Sequence, residues 1–90
     1  MTKMNSLNLF FSVLSQSSYG EIEIIYNKKS IYHFAAKSHG PKTTVIIKDF
    51  KCVENFFLKG DLGWAESYIH GLWETTNLSD FLEWGAKNFH

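Results

Sequence analysis

Five side chains of the 90-residue sequence could ligate a transition metal or support a thiol nucleophile: His33, His39, Cys52, His70 and His90. A zinc site gathers three or four such ligands, and neither a C-x-x-C nor an H-E-x-x-H spacing occurs in the sequence. Cys52 stands early in an apolar segment, which is typical of a small core residue. The sequence therefore predicts no metal site and no catalytic residue.

Glu66 is the acidic residue with the most unusual neighbours, because Trp64, Ala65, Tyr68 and Ile69 surround it. A carboxylate among such residues could have a raised pKa and act as an acid or a base. Since no second catalytic group is spaced to help it, we favour a structural role as a buried hydrogen-bonding group. Glu66→Ala should then destabilise the fold by ~1–3 kcal/mol.

Nucleotide and nucleic-acid binding are both disfavoured. The sequence contains no G-x-x-x-x-G-K-[ST], and no G-x-G-x-x-G follows a predicted strand. Nine lysines balance nine acidic residues, and arginine, the usual bidentate phosphate ligand, is missing. A nucleic-acid binder would need a clustered basic excess. We therefore expect no cofactor and no nucleic-acid partner for this chain.

The first half of the chain predicts one helix and three strands. Apolar residues at i, i+3, i+4 and i+7 predict an amphipathic helix over Met4–Ser17. Alternating or β-branched segments then predict strands over Gly20–Tyr26, Ile31–Ala36 and Thr43–Lys48. Turns are expected between them at Asn27–Ser30 and Ser38–Pro41.

The second half predicts three helices, over Phe50–Lys59, residues 61–70 and Leu78–Asn88. Asp49, Asp61 and Asn77 are the expected N-caps, and Gly60 and Gly71 should end the first two helices. Because strands and helices are segregated, the order helix-strand-strand-strand-helix-helix-helix predicts a single α+β domain over residues 1–90. In this interpretation a small antiparallel sheet is packed by helices.

The aromatic residues have two interpretations. Nine of them fall within the forty residues from Phe50 to Phe89, among them Trp64, Trp73 and Trp84. They fill a core, or they form an apolar groove or a membrane-facing surface. An internal ligand cavity is disfavoured, because so many rings should leave little room. A single cysteine and the absence of a spanning apolar segment favour the cytosol.

One segment carries a resemblance to a known family. Residues 60–74, GDLGWAESYIHGLWE, resemble the G-x-L-G-x-G-E-S-Y-x-x-G-x-W signature of cyclopropane-fatty-acyl-phospholipid synthases and their methyltransferase relatives. The motif residues are Gly60, Gly63, Glu66, Tyr68, Gly71 and Trp73. The similarity covers roughly residues 43–88, and Ala65 and His70 depart from the family pattern, which often has glycine and aspartate there.

The resemblance implies an accessory role. Enzymes of that family transfer a methylene carbon from S-adenosylmethionine to an unsaturated phospholipid acyl chain, in a later Rossmann-like domain that this chain lacks. The matched segment is their N-terminal domain, which resembles sterol-carrier-like α+β folds, engages lipid and packs on the catalytic domain. It implies a cytoplasmic domain peripheral to the inner face of the membrane.

Two functional hypotheses follow. In the first, the domain engages phospholipid without catalysis, with Phe57 and Trp64 as apolar contacts and Glu66 and Tyr68 holding the motif together. In the second, it is a structural packing or dimerisation module, and the same aromatic residues face the downstream catalytic domain or a second copy.

Overall fold

The computed structural model describes residues 3–89 and confirms the α+β class. His90 lies outside the described residues. Eight elements follow in the order helix, three strands, two helices, strand, helix: α1 Lys3–Leu14, β1 Tyr19–Tyr26, β2 Lys29–Ala35, β3 Ser38–Ile47, α2 Lys51–Lys59, α3 Asp61–Ile69, β4 Trp73–Thr75 and α4 Leu78–Phe89. No helix in this part of the chain is long and apolar enough to cross a bilayer.

The sheet is mixed, so the prediction of an antiparallel sheet is wrong in one pairing. Its strand order is β2-β1-β3-β4, with β1 antiparallel to β2 but parallel to β3. The reason is the path of the chain between β2 and β3. At Ala36, whose N–H donates to the Gly20 carbonyl at 2.9 Å, the chain crosses the start of β1 and continues along its other side.

The two predicted turns have different outcomes. The β1–β2 hairpin turns at Asn27 and Lys28, which have φ of 54° and 66°. Positive φ at both central residues matches the twist of a two-residue hairpin loop. The predicted turn Ser38–Pro41 is wrong, because these residues begin β3. Pro41 is tolerated there because the β1–β3 register shifts between Tyr19 and Glu21, which interrupts the ladder beside it.

The strand β4 was not predicted. It has three residues and pairs antiparallel with β3, with Trp73 opposite Ile47. Such a short strand carries too little alternation to be recognised from its sequence. It returns the chain to the sheet between α3 and α4, and it thereby determines where those two helices lie.

The core lies between one face of the sheet and the helices. Alternate residues of β1 and β3 point into it, and buried residues of α1, α2, β4 and α4 complete it. The buried apolar side chains are Phe10, Leu14, Ile22, Ile24, Val45, Ile47, Cys52, Val53, Trp73 and Trp84. The other face of the sheet carries cross-strand ion pairs, including Lys48–Glu74 at 2.9 Å and Lys42–Glu23 at 3.6 Å. The domain is therefore a two-layer structure with one polar sheet face.

Most predicted helix boundaries hold within a residue or two. Asn77 Oδ1 accepts from the Asp80 N–H at 3.0 Å, which confirms the predicted N-cap of α4. Asp61 is the first residue of α3 rather than its cap, a position that Gly60 takes. Asp49 Oδ1 accepts from the Lys51 N–H at 2.9 Å and so contributes to the start of α2, although the N-cap is Phe50.

A candidate apolar ligand groove

An apolar groove of about 660 Å³ opens between α3 and α4. Phe10 and Leu14 of α1 close one side, and Ile22 and Val45 of the sheet form the floor. This volume lies within the ~300–1,000 Å³ typical of small-molecule sites. The aromatic residues do not fill the domain completely, but the space they leave is an open groove rather than the internal cavity that the sequence disfavoured.

The walls of the groove are almost wholly apolar. The α3 wall consists of Asp61, Trp64, Ala65, Tyr68 and Ile69. The α4 wall consists of Leu78, Phe81, Leu82, Trp84, Gly85, Ala86 and Phe89. Asp61 supplies the single carboxylate in the described lining, which includes no cationic side chain. A groove of this kind suits an apolar ligand and offers nothing to neutralise an anionic one.

The strand β4 explains why a gap exists here. After α3 the chain goes down to the sheet edge, where the Ile47–Trp73 pair anchors it, and only then begins α4. The two helices are thus held apart instead of packing side by side. The sequence alone could not show this gap, because β4 itself was not recognisable.

Helix α4 has one wide apolar surface and one charged stripe. Phe81 and Trp84 pack toward the core and also line the groove, whereas Leu78 and Leu82 line the groove and are 41% and 59% exposed. The charged residues form a separate stripe that does not line the groove: Asp80, Glu83 and Lys87. Because the core covers only one side of this wide apolar surface, the other side remains open to a ligand.

The three tryptophans all line the groove. Trp73 and Trp84 are 2% exposed, so they belong to the core as well as to the groove lining. For these two residues, the core and the groove interpretations of the aromatic residues therefore both apply. Trp64 is half-buried and stacks on Trp73, and its ring centroid lies 5.4 Å from that of Phe10. The stacked rings form a continuous wall, and this wall rather than a filled interior accounts for much of the aromatic content.

The motif glycines shape the chain around the α3 wall. Gly60 has φ 62° at the corner between α2 and α3. Gly63 permits close helix packing, since a Cβ there would lie 2.1 Å from the Asn55 carbonyl oxygen. Gly71, with φ 75°, ends α3 as predicted, and the adjacent Leu72 N–H donates to the Ser67 carbonyl at 2.9 Å. These glycines shape the backbone around Trp64 and Tyr68 and do not line the groove themselves.

Glu66 does not have the predicted environment. Its side chain is 43% exposed, and its Oε1 lies 3.6 Å from Lys59 Nζ in a surface ion pair. The prediction that Glu66 is a buried group is therefore wrong, because the carboxylate lies on the side of α3 away from the groove. Tyr68 does line the groove, with its ring centroid 4.9 Å from that of Trp73.

The buried polar residue of the motif is Ser67, which sequence reasoning missed. It is 1% exposed, donates to the Gly63 carbonyl at 2.8 Å and accepts from Asn55 Nδ2 at 3.0 Å. The helical spacing of Gly63 and Ser67, four residues apart, could have indicated a shared face toward α2. This link holds α3 against α2 and so fixes the position of the groove wall.

Phe57 and Trp64, the two predicted lipid contacts, do not belong to one site. Trp64 lines the groove, whereas Phe57 is 40% exposed and lines a separate shallow depression beside Ser6, Glu54 and Leu58. The structure thus places Trp64 in the groove and Phe57 elsewhere on the surface.

The described side chains that were considered for metal or nucleophilic chemistry do not form a common site. Within residues 3–89, no three His, Cys, Asp or Glu side chains are grouped so that they could hold a metal ion. His33 pairs with Glu21 on the polar sheet face. Burial raises the pKa of the Cys52 thiol to about 12, so the nucleophilic thiolate is disfavoured at neutral pH.

Comparisons of the chain with protein-family models, with curated proteins and with solved structures found no match. The resemblance of residues 60–74 to the synthase signature therefore remains an interpretation of the sequence.

Proposed function

We propose that this domain is a non-catalytic lipid-engaging module that binds an acyl chain in the α3–α4 groove. The observation that carries the proposal is the groove itself, about 660 Å³ in volume and lined by apolar side chains from α1, α3, α4 and the sheet. Hydrocarbon needs no hydrogen-bond partners. Each Å² of apolar surface that binding removes from water contributes ~25 cal/mol to the binding free energy.

The lining also favours a particular kind of ligand. Asp61 is a carboxylate at the wall, and no lysine lines the groove within the described residues. A ligand carboxylate or phosphate inside the groove would be desolvated without a cationic partner, which is costly. The polar head of the lipid is therefore expected to remain in water while the acyl chain enters.

The motif from Gly60 to Trp73 supports the proposal that this module accompanies an S-adenosylmethionine-dependent enzyme that modifies phospholipid acyl chains. Such an enzyme would be peripheral to a membrane. The described residues do not fit that cofactor, because the β3–α2 connection, Lys48-Asp49-Phe50, has no glycine-rich turn for it. S-adenosylmethionine would bind on another domain. The intact mass of the native polypeptide tests this part, and a mass near 10.4 kDa would contradict it.

Acyl-chain binding can be measured through the tryptophans. Because all three line the groove, a lysophosphatidylcholine with a brominated acyl chain should quench their fluorescence at lipid concentrations below micelle formation. Gly85→Leu should weaken this quenching, since a Cβ at Gly85 would meet nothing within 4 Å and the larger side chain can occupy the groove without a clash.

A matched control separates groove filling from added bulk. Leu58→Phe enlarges a side chain that is 79% exposed and does not line the groove. It should leave the quenching unchanged. Equal quenching of wild type and Gly85→Leu would show that the acyl chain does not occupy the groove.

The alternative is a packing or dimerisation module. The exposed apolar side chains at the groove edge, such as Ile69 at 78%, would then contact a protein surface. Sedimentation of the domain across a range of concentrations tests this alternative, which requires self-association or a stable complex with a partner domain.

A further inference from the structure

Three buried side-chain atoms in the described part of the chain have no hydrogen-bond partner: Thr43 Oγ1, Thr75 Oγ1 and Trp84 Nε1. They belong to residues around one position of the groove floor, Val45. Thr43 precedes Val45 by two residues on β3, so the two side chains are on the same face of the sheet, and Thr75 is opposite Val45 on β4. Trp84 lines the groove together with Val45. The unpartnered atoms thus belong to the most buried part of an otherwise apolar site.

The indole N–H of Trp84 differs from that of Trp73, which donates to the Trp64 carbonyl at 2.9 Å. The pyrrole edge of Trp84 lies beside β1, because its Cδ1, the atom bonded to Nε1, is 3.1 Å from the position of a Cβ at Gly20. Ile22, two residues further along β1, lines the groove floor. An indole N–H is a donor only, so the partner that it lacks must be an acceptor.

We propose that the groove binds a lipid chain that carries a neutral carbonyl oxygen, and that Trp84 Nε1–H donates a hydrogen bond to this oxygen. This inference rests on the proposed function and adds to it the chemical class of the chain and the residue that selects it. The hydroxyl of Thr43, which is also buried and unpartnered, is a second donor beside the same part of the floor. Two unpartnered donors in one apolar site favour a ligand atom that only accepts.

The lining favours a neutral carbonyl over the other oxygen groups of lipids. A carboxylate would be desolvated without a counter-charge, because the described lining includes Asp61 and no cationic side chain. A hydroxyl brings a proton of its own that needs an acceptor, whereas a carbonyl does not. A plain hydrocarbon chain fills the same space but leaves the Trp84 N–H buried without an acceptor, which costs free energy. The groove should therefore prefer a chain with a ketone or ester carbonyl to an alkane of the same length.

The test uses nonane and the methyl ketone with the same number of carbon atoms, each as a competitor of the brominated lysolipid. The ratio of the two affinities measures the preference for the carbonyl. Trp84→Phe keeps a ring and removes the N–H, so it should lower the ketone-to-alkane affinity ratio about threefold to tenfold, the range expected for one hydrogen bond. The control Trp64→Phe makes the same change at another groove tryptophan and should leave the ratio unchanged. Because each ratio compares two ligands on one protein, a general loss of affinity in a variant cancels.

Nuclear magnetic resonance of the wild type gives a second measurement that does not depend on a folded variant. The Trp84 indole proton should move downfield when the ketone binds and should move little when nonane binds. Equal responses to both ligands, with an affinity ratio that Trp84→Phe does not change, would overturn the carbonyl contact and leave chain binding intact. Lysolipid quenching that the ketone does not displace would likewise overturn the inference alone. The absence of quenching, together with no response to either competitor, would overturn the proposed function as well.

Discussion

The indole of Trp73 both stacks on Trp64 and donates a hydrogen bond to it. The ring centroids lie 4.5 Å apart with the planes inclined by 20°, and Trp73 Nε1 lies 2.9 Å from the Trp64 carbonyl oxygen. Trp73 belongs to the edge strand β4 and Trp64 to α3. This pair therefore ties the groove wall to the sheet, so one side chain contributes to the core, the wall and the position of α3.

Trp73→Ala should lower the free energy of unfolding by about 3–5 kcal/mol, because it removes a buried ring and leaves a cavity. Trp73→Phe should cost less, since a ring remains and the main loss is the hydrogen bond to Trp64 and part of the stacking. Urea denaturation of both variants measures the difference. If Trp73→Ala unfolds at the wild-type urea concentration, the ring does not have the buried position that the structure gives it.

Two glycine-to-alanine substitutions should have opposite effects on stability. Gly63→Ala places a Cβ 2.1 Å from the Asn55 carbonyl oxygen, so α2 and α3 must separate, at a cost of about 1–3 kcal/mol. Gly85 also lies in a helix, but a Cβ there meets nothing within 4 Å. Gly85→Ala should therefore stabilise the domain by about 0.5–1 kcal/mol through helix propensity.

Thermal unfolding of the two glycine variants gives a direct comparison, because the chemical change is the same in both. A destabilising effect at Gly85 equal to that at Gly63 would show that close helix packing is not the reason for the glycine in the motif.

The neighbouring motif residues Ser67 and Glu66 should also differ in how much their substitution by alanine lowers stability. Ser67→Ala leaves Asn55 Nδ2 without its 3.0 Å partner in a part-buried contact and should cost about 1–3 kcal/mol. Glu66→Ala removes one surface ion pair with Lys59 and should cost less than about 1 kcal/mol. Denaturant unfolding in parallel measures both. A larger loss for Glu66→Ala than for Ser67→Ala would restore the buried role that the sequence predicted for Glu66.

Much of the fold could be predicted because local signals agree with it. The cap at Asn77, the left-handed glycine at Gly71 and the alternation in β1 each act over a few residues, and each appears in the structure. The parallel pairing of β1 with β3 could not be predicted in this way. It depends on the path from Ala36 to Ser38 around the start of β1, which no residue pattern in the chain encodes locally.

The candidate site was predicted in composition but not in shape. The sequence indicated apolar aromatic residues around Trp64, yet it could not distinguish a filled core from a groove. That difference depends on β4, which holds α3 and α4 apart, and three residues are too few to reveal a strand. The sequence also could not show that Ser67 rather than Glu66 is buried. Neighbouring residues of a helix point in different directions, so the rotation of α3 about its axis determines which of the two faces α2.

The Cys52 thiol makes the stability of the domain depend on alkaline pH. Burial raises its pKa from an ordinary value of 9.0 to about 12. Below about pH 9 the thiol is protonated in both the folded and the unfolded chain, so its full contribution to stability is present. As the pH rises above 9, the unfolded chain loses the proton while the folded chain keeps it. Stability should then fall by about 1.4 kcal/mol for each pH unit from this group, until the folded thiol also ionises.

Urea unfolding at several pH values between about 8 and 10.5 tests this dependence, with Cys52→Ala as the reference. Lysines and tyrosines titrate in the same range, so the informative quantity is the difference in slope between the two proteins. The variant will be less stable throughout, because it leaves a cavity, but its stability should fall less steeply with pH. Identical slopes would mean that the thiol ionises equally in both states. Rapid modification of Cys52 by a thiol reagent in the folded protein would contradict its burial directly.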